Sequence, residues 1–161
     1  MKKLLKYVPI CAVVLALVAF ILLCACNVMD IDIGLGTGHL KGMDSIFDKD
    51  YFVDDQPNIA VLFAWIAGLL GLLAGAAYAV LGLLGKGPEK VLKILGLVAG
   101  GLLVFSGIIV MFAEADYLAH VPSAQKSAVD DAVKFTFGYA FAGILNILAG
   151  AGLLVPPFLK K

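Results

Sequence analysis

IAVLFAWIAGLLGLLAGAAYAVLGLL, residues 59–84, runs for 26 residues without an Asp, Glu, Lys, Arg or His. A helix needs about 20 predominantly apolar residues to cross the hydrocarbon core of a bilayer. This stretch alone therefore predicts a membrane span. Three more stretches meet the same criterion, and we place the four spans at about residues 7–26, 58–84, 89–113 and 128–158.

The composition of the whole chain agrees with this assignment. Of its 161 residues, 62% are apolar and 15% are charged, with a mean hydropathy of +1.02. A soluble domain has about 25% charged residues, so an ordinary soluble fold and a disordered chain are both excluded. The 12 basic residues, all lysines, balance the 12 acidic ones, so no net charge attracts nucleic acid. We expect one four-span domain over residues 1–161, an all-α up-down bundle whose first partner is the lipid bilayer.

The lysines predict the orientation of this bundle. Cytoplasmic segments of membrane proteins carry an excess of lysine and arginine. Lysines cluster at both termini and between Lys86 and Lys93, and fewer lie in the loops at 27–57 and 114–134, which hold eleven of the acidic residues. We therefore expect a multi-pass protein of the plasma membrane with both termini cytoplasmic. The lysine-only usage indicates a bacterial source.

The first span has two alternative interpretations. Lys2, Lys3 and Lys6 would form the basic start of a signal peptide, but the apolar run from Val8 to Cys26 is longer than the usual h-region of about 7–15 residues. A retained helix is therefore favoured. The residues before Cys26 also approximate a bacterial lipobox, which leaves lipidation of that cysteine open.

Proline and capping signals predict where the helices end. Pro57 and Pro88 suit the first turns of the second and third helices, where a missing N–H is tolerated. Ser127 and Asp130 form a capping-box pattern, so the fourth helix is expected to start there and to run unbroken until Pro156 and Pro157 end it.

Small residues predict how the spans pack. Helices in lipid associate where small side chains let their backbones approach closely. Asn146 is the one strongly polar side chain near the middle of a span, with Ser106 second, and it predicts an interhelical hydrogen bond or, less often, a substrate site. The residues expected at helix contacts or in an oligomer interface are Gly71, Gly75, Gly96, Gly100, Ala142, Asn146 and Gly150.

Aromatic residues are dense at the start of the fourth apolar stretch. Interfacial anchoring accounts for many aromatics at the ends of membrane helices. The alternative is a lateral surface for a partner, made by Phe135, Phe137, Tyr139 and Phe141.

The first outer loop, residues 27–57, is expected to fold into a small extracellular cap. Apolar residues alternate with polar ones from Met29 to Leu35, which predicts a strand, and glycines 34, 36 and 38 predict a flexible turn after it. Met43, Ile46, Phe47 and Tyr51 then recur at helical spacing, although a second strand over residues 46–53 also fits.

Motifs for catalysis, cofactors and metals are weak in this sequence. An EF-hand counted from Asp30 would place Leu35 and Lys41 where glycine and glutamate belong. His39 and His120 lack the spacing of zinc ligands, and the three cysteines are placed so that no internal disulfide is expected. Asp116 and His120, with Glu114, form the best candidate acid–base group, at i and i+4 on a helix extension. We expect no catalytic site, no cofactor and no metal.

The function expected from these patterns is contact with other proteins. The segment order resembles that of claudin-type tetraspan proteins, but the loop at 27–57 lacks that family's tryptophans and cysteine pair, so the resemblance covers topology alone. A small non-enzymatic subunit or scaffold of a membrane complex is the leading interpretation. An oligomeric passive channel or small transporter is the alternative.

Overall fold

The computed structural model describes residues 7–32, 37–48, 57–123 and 126–159. Four of its helices are long and apolar enough to span a membrane. They are α1 (Val8–Ala25), α3 (Ile59–Leu84), α4 (Glu89–Ile109), which continues through a 3₁₀ turn (Val110–Phe112) into α5 (Ala113–His120), and α7 (Phe137–Leu159). The prediction of a mostly helical four-span bundle is confirmed at this level.

The four long helices pack in the cyclic order α1–α3–α4–α7. Because α1 contains no glycine, it packs through Ala12, Ala16 and Ala19, which are all buried. We call the end of the bundle near residues 85–88 the turn end and the opposite end the cap end. Two hydrophobic clusters fill the interior, one around Leu103 and Leu153 toward the turn end and one around Leu23 and Tyr139 toward the cap end.

Helix ends follow local chemistry. The side chain of Asn58 accepts a hydrogen bond from Val61 N–H at 3.0 Å and so caps the start of α3. Gly85 ends α3 with φ of 62°, a left-handed conformation that favours glycine. Pro57 and Pro88 were expected in first turns, but they lie just before α3 and α4, since Asn58 and Pro88 itself occupy the capping positions.

A three-stranded antiparallel sheet covers the cap end. Its strands are β1 (Asn27–Asp32), β2 (Thr37–Lys41) and β3 (Val133–Phe135), in the order β2–β1–β3. A short helix, α2 (Asp44–Phe47), follows β2. We call these four elements the cap. The predicted strand and short helix are both present. The alternative strand over 46–53 is contradicted at Ile46, which lies in α2, and residues 49–53 lie outside the described residues.

Strand β2 lies partly where the glycines predicted a flexible turn. Gly38 pairs with Ile31 inside the sheet, and the other two glycines of that prediction lie outside the described residues. The antiparallel partner satisfies the backbone groups of residues 37–41, which overrides the conformational freedom of glycine.

The sequence predicted one helix from residue 128 through the fourth apolar stretch, and this prediction is wrong. A short helix, α6 (Lys126–Ala132), ends at β3, and α7 begins only at Phe137. Residues Val133–Phe135 pair instead with Ile31–Met29 of β1, and Thr136 N–H donates to the carbonyl of Val28 at 3.0 Å. This pairing supplies hydrogen bonds for the second edge of β1 and buries Val133, which a continuous helix would not do.

The expected stop at Pro156 and Pro157 is also wrong, because α7 continues through both prolines to Leu159. Each proline removes one backbone hydrogen bond, and neighbouring helices make such losses tolerable in membrane helices. The last turn of α7 is therefore helical despite its prolines.

Candidate functional site

The seam between α4 and α7 is a close helix contact. Gly100 and Gly150 face each other, so that a Cβ built on either one would lie 2.8 or 2.6 Å from the carbonyl oxygen of the other. Gly107 and Gly143 repeat the arrangement two turns away, where a Cβ on Gly107 would overlap the carbonyl oxygen of Gly143. Two reciprocal glycine pairs therefore set the distance between these helices.

The structure buries all of the small residues that the sequence placed in helix contacts. A Cβ on Gly71 would lie 2.9 Å from Leu103 Cγ, and one on Gly75 would lie 2.9 Å from Leu153 Cδ1. Gly96 and Ala142 are buried as well. Gly107 and Gly143 are outside the set of seven residues expected at helix contacts. The seven-residue spacings from Gly100 to Gly107 and from Gly143 to Gly150 nevertheless place the two glycines of each helix on one face.

Asn146 and Ser106 meet in the middle of the bundle. Ser106 Oγ lies 2.6 Å from the carbonyl oxygen of Ala64, and Asn146 Nδ2 lies 3.1 Å from Ser106 Oγ. These contacts connect α3, α4 and α7. We call the three residues the polar link.

The direction of the polar link follows from its chemistry. The carbonyl of Ala64 can only accept, so Ser106 donates its single hydroxyl proton there. Ser106 Oγ must then accept from Asn146, which requires the amide nitrogen and not the amide oxygen at that place. Asn146 Oδ1 consequently faces away from Ser106, and it has no hydrogen-bond partner among the described residues although Asn146 is only 1% exposed. The link therefore ends in an unsatisfied acceptor.

The start of α3 is held from outside by α5. Asp116 Oδ2 accepts hydrogen bonds from Ile59 N–H at 2.7 Å and Ala60 N–H at 3.2 Å. Asn58 Nδ2 donates to the carbonyl of Ala113 at 2.8 Å. A carboxylate at a helix N-terminus is favourable because it satisfies free N–H groups and complements the helix dipole.

These contacts turn the side chains of the candidate acid–base group in different directions. His120 Nδ1 lies 2.8 Å from the backbone carbonyl oxygen of Asp116, while the carboxylate of Asp116 points to the start of α3. Glu114 is half-buried on the same short helix. The three side chains are close in sequence, but their described hydrogen bonds belong to helix capping.

An open groove lies between α3 and the α4–α5 segment near the cap end. Its volume is about 600 Å³, and its walls include Ile59 and Phe63 of α3 and Phe105, Ile108 and Phe112 of the neighbouring segment, with Asp116 at one end. The groove lies on the outer surface of the bundle. Sequence reasoning could not find it because its two walls come from different helices.

The four candidate partner-surface aromatics divide into two pairs. Tyr139 is 1% exposed and packs edge-on against Phe135, with 6.0 Å between ring centroids. Phe137 and Phe141 point outward, 80% and 41% exposed, and stack at 5.9 Å with an angle of 16° between the rings. We call Phe137 and Phe141 the outward aromatic pair.

Metal and thiol chemistry receives little support from the geometry. His39 Nδ1 pairs with Asp30 Oδ1 at 2.7 Å across β1 and β2, far along the chain from His120. Within the described ranges, no three His, Cys, Asp or Glu residues converge on a point suited to a metal. Cys11, Cys24 and Cys26 are free thiols, and Cys24 Sγ accepts a hydrogen bond from Trp65 Nε1 at 3.4 Å.

Comparisons with protein-family models, with curated proteins and with solved structures find no match to this chain. The four apolar helices define the class as a multi-pass membrane protein. The surfaces of this chain are therefore the source of what can be inferred about its function.

Proposed function

We propose that the protein is a small non-enzymatic subunit or scaffold of a membrane complex, and that it binds a neighbouring membrane protein through the outward aromatic pair. The observation that carries this proposal is the stacked arrangement of Phe137 and Phe141 on the first turns of α7. Aromatic side chains with few rotatable bonds give large contact areas at low entropic cost, and they dominate many protein interfaces.

The backbone beneath this pair is hydrogen-bonded to strand β1 of the cap. Phe137 comes two residues after β3, and Thr136 donates hydrogen bonds through its backbone N–H to Val28 and through its hydroxyl to the carbonyl of Asn27. Tyr139, between the two outward rings in sequence, is anchored in the interior. Such a surface loses little freedom when a partner covers it, which favours a docking role.

The absence of enzymatic activity is part of this proposal. Asp116, the carboxylate most suited to acid–base work, accepts two backbone N–H groups of α3. The polar link consists of a hydroxyl, an amide and a backbone carbonyl, which carry no charge. Replacement of Glu114, Asp116 and His120 by alanine should therefore abolish no reaction, and any phenotype should follow from lost helix capping or lost contacts at the groove.

Location and orientation are also proposals. We infer that the protein resides in the bacterial plasma membrane, with both termini in the cytoplasm and the cap outside. The lysine distribution supports this orientation, since positively charged segments are retained on the cytoplasmic side.

The test is native mass spectrometry of the tagged full-length protein, extracted gently from its own membrane. We expect a second polypeptide at fixed stoichiometry, lost in the double variant Phe137→Ala/Phe141→Ala. The matched control is Phe105→Ala/Phe112→Ala, which also removes two exposed phenylalanines but from the groove. Equal partner loss in both variants, or no partner with the wild type, would overturn the proposal.

An oligomeric passive channel is the second candidate, because Asn146 Oδ1 is an unsatisfied acceptor deep in the bundle. A water-filled path that reached Asn146 would supply donors to this oxygen. The discriminating variant is N146C in a chain whose Cys11, Cys24 and Cys26 are replaced by alanine. We expect this thiol to resist an aqueous thiol reagent, and rapid modification would favour the channel instead.

A further inference from the structure

The groove between α3 and the α4–α5 segment has the dimensions and lining of a ligand site. Its volume of about 600 Å³ falls within the range of about 300–1,000 Å³ typical of small-molecule sites. Phe63, Phe105 and Ile108 make its walls apolar along the helix direction. It opens sideways between two helices that are long and apolar enough to span a membrane, so in a bilayer it would face lipid.

One end of this groove carries a charge. Asp116 lies where α3 begins, and its Oδ2 accepts both backbone hydrogen bonds from that helix. No described residue donates a hydrogen bond to its Oδ1. The carboxylate is half-buried, and Glu114 lies in the same short helix. The groove therefore combines long apolar walls with a negative group at the end where the apolar part of the α4–α5 segment stops.

We propose that this groove binds a phospholipid with a primary ammonium headgroup, of the phosphatidylethanolamine class, from the leaflet at the cap end. One acyl chain lies along Phe63, Phe105 and Ile108, and the ammonium group donates to Asp116 Oδ1. A choline headgroup has the same charge but no N–H to donate, and a glycerol headgroup leaves the lipid anionic and is repelled by Asp116. The inference rests on the groove alone and does not require the partner proposed for the outward aromatic pair.

The headgroup preference is tested by native mass spectrometry of the purified full-length protein with an equimolar mixture of phosphatidylethanolamine, phosphatidylcholine and phosphatidylglycerol bearing identical chains. A partly exposed ion pair predicts that the ethanolamine adduct exceeds the choline adduct by up to about five-fold. The variant Asp116→Asn keeps an oxygen that accepts from Ile59 and Ala60 but removes the charge. It should bring the two adducts to parity, and an unchanged preference in this variant would overturn the assignment of Asp116.

The position of the lipid is tested by filling the groove. Ile108→Trp places a large ring on its wall, and Ile144→Trp, on α7, is the matched control because the two isoleucines are 49% and 46% exposed. We expect the ethanolamine adduct to fall at least five-fold in Ile108→Trp only. Equal retention in both variants would overturn the site. The proposal would also be overturned if Ile108→Trp lost a bound polypeptide or a second copy of the chain and kept its lipid, since the occupant of the groove would then be a protein.

Discussion

Asn146 is bonded through one end of its amide only, and this asymmetry has energetic consequences. Its nitrogen donates to Ser106, while Oδ1 is buried without a described partner. A buried polar group that lacks a hydrogen bond reduces stability, whereas an apolar side chain of similar size at the same place does not incur this penalty. Ser106 and Asn146 should therefore respond differently to substitution.

We predict that Ser106→Ala lowers the free energy of unfolding by about 1 kcal/mol, because it leaves the amide of Asn146 with neither end bonded. Asn146→Leu should change it by less, since the orphaned oxygen is removed together with one interhelical bond worth about 0.6 kcal/mol. Reversible unfolding in mixed micelles, followed by the fluorescence of Trp65, measures both values. If Asn146→Leu proves the more damaging, Oδ1 has a partner such as a buried water.

At the scale of elements, α4 and α7 are held at a distance that only glycine allows. Gly107 and Gly101 lie in the same helix, but Gly107 meets the backbone of Gly143, while a Cβ on Gly101 would have no atom within 4 Å. The same substitution at these two positions therefore separates the effect of packing from that of helix propensity.

We predict that Gly107→Ala destabilises the bundle by about 1–3 kcal/mol, because the added methyl forces the two helices apart. Gly101→Ala should stabilise it by about 0.5–1 kcal/mol, because alanine restricts the unfolded chain and favours the helix. Both effects are measured by the same unfolding experiment. Similar changes for the two variants would show that α4 and α7 do not approach closely at Gly107.

The cap is joined to the helices through a second close contact. Gly42 N–H donates to the carbonyl of Cys26 at 3.2 Å, and a Cβ on Gly42 would overlap the carbonyl of Leu23 at the end of α1. Phe47 of α2 packs edge-on against Trp65, at 6.1 Å between ring centroids. The fluorescence of Trp65, the single tryptophan of the chain, therefore reports whether the cap is packed against the helices.

We predict that Gly42→Ala displaces the cap and shifts the emission of Trp65, because α2 moves with the displaced loop. The control is Gly38→Ala, where the nearest atom to the new Cβ, the carbonyl oxygen of Ile31, is at an ordinary 3.6 Å. Steady-state emission of the two variants in one detergent is the measurement. A shift of equal size in both would mean that Trp65 does not sense this contact.

For the whole molecule, sidedness decides which surfaces can meet a partner. The proposed orientation puts the cap and Lys126 outside and the turn with Lys86 inside. Both lysines are exposed, so cysteines at these positions can react with a reagent from their own side of the membrane.

We predict that a membrane-impermeant thiol reagent labels Lys126→Cys on intact cells and labels Lys86→Cys only after permeabilisation. Each variant is made in a chain whose three native cysteines are replaced by alanine, and the cysteine-free chain is the background control. The reverse pattern would invert the orientation, and it would place the outward aromatic pair near the cytoplasmic surface.

The number and approximate position of the long apolar helices could be read from the sequence, and so could β1, the polar residues Ser106 and Asn146, and most of the small residues in helix contacts. These are local properties: a run of apolar residues in lipid must satisfy its own backbone as a helix, and alternation over a few residues specifies a strand. That Val133–Phe135 is a strand depends instead on the free edge of β1, which exists only in the folded chain. The folded chain likewise determines that Tyr139 faces inward while Phe137 and Phe141 face outward, and which glycines meet. Those choices are made by neighbours distant in sequence, and the same residues in another setting would satisfy a helix equally well.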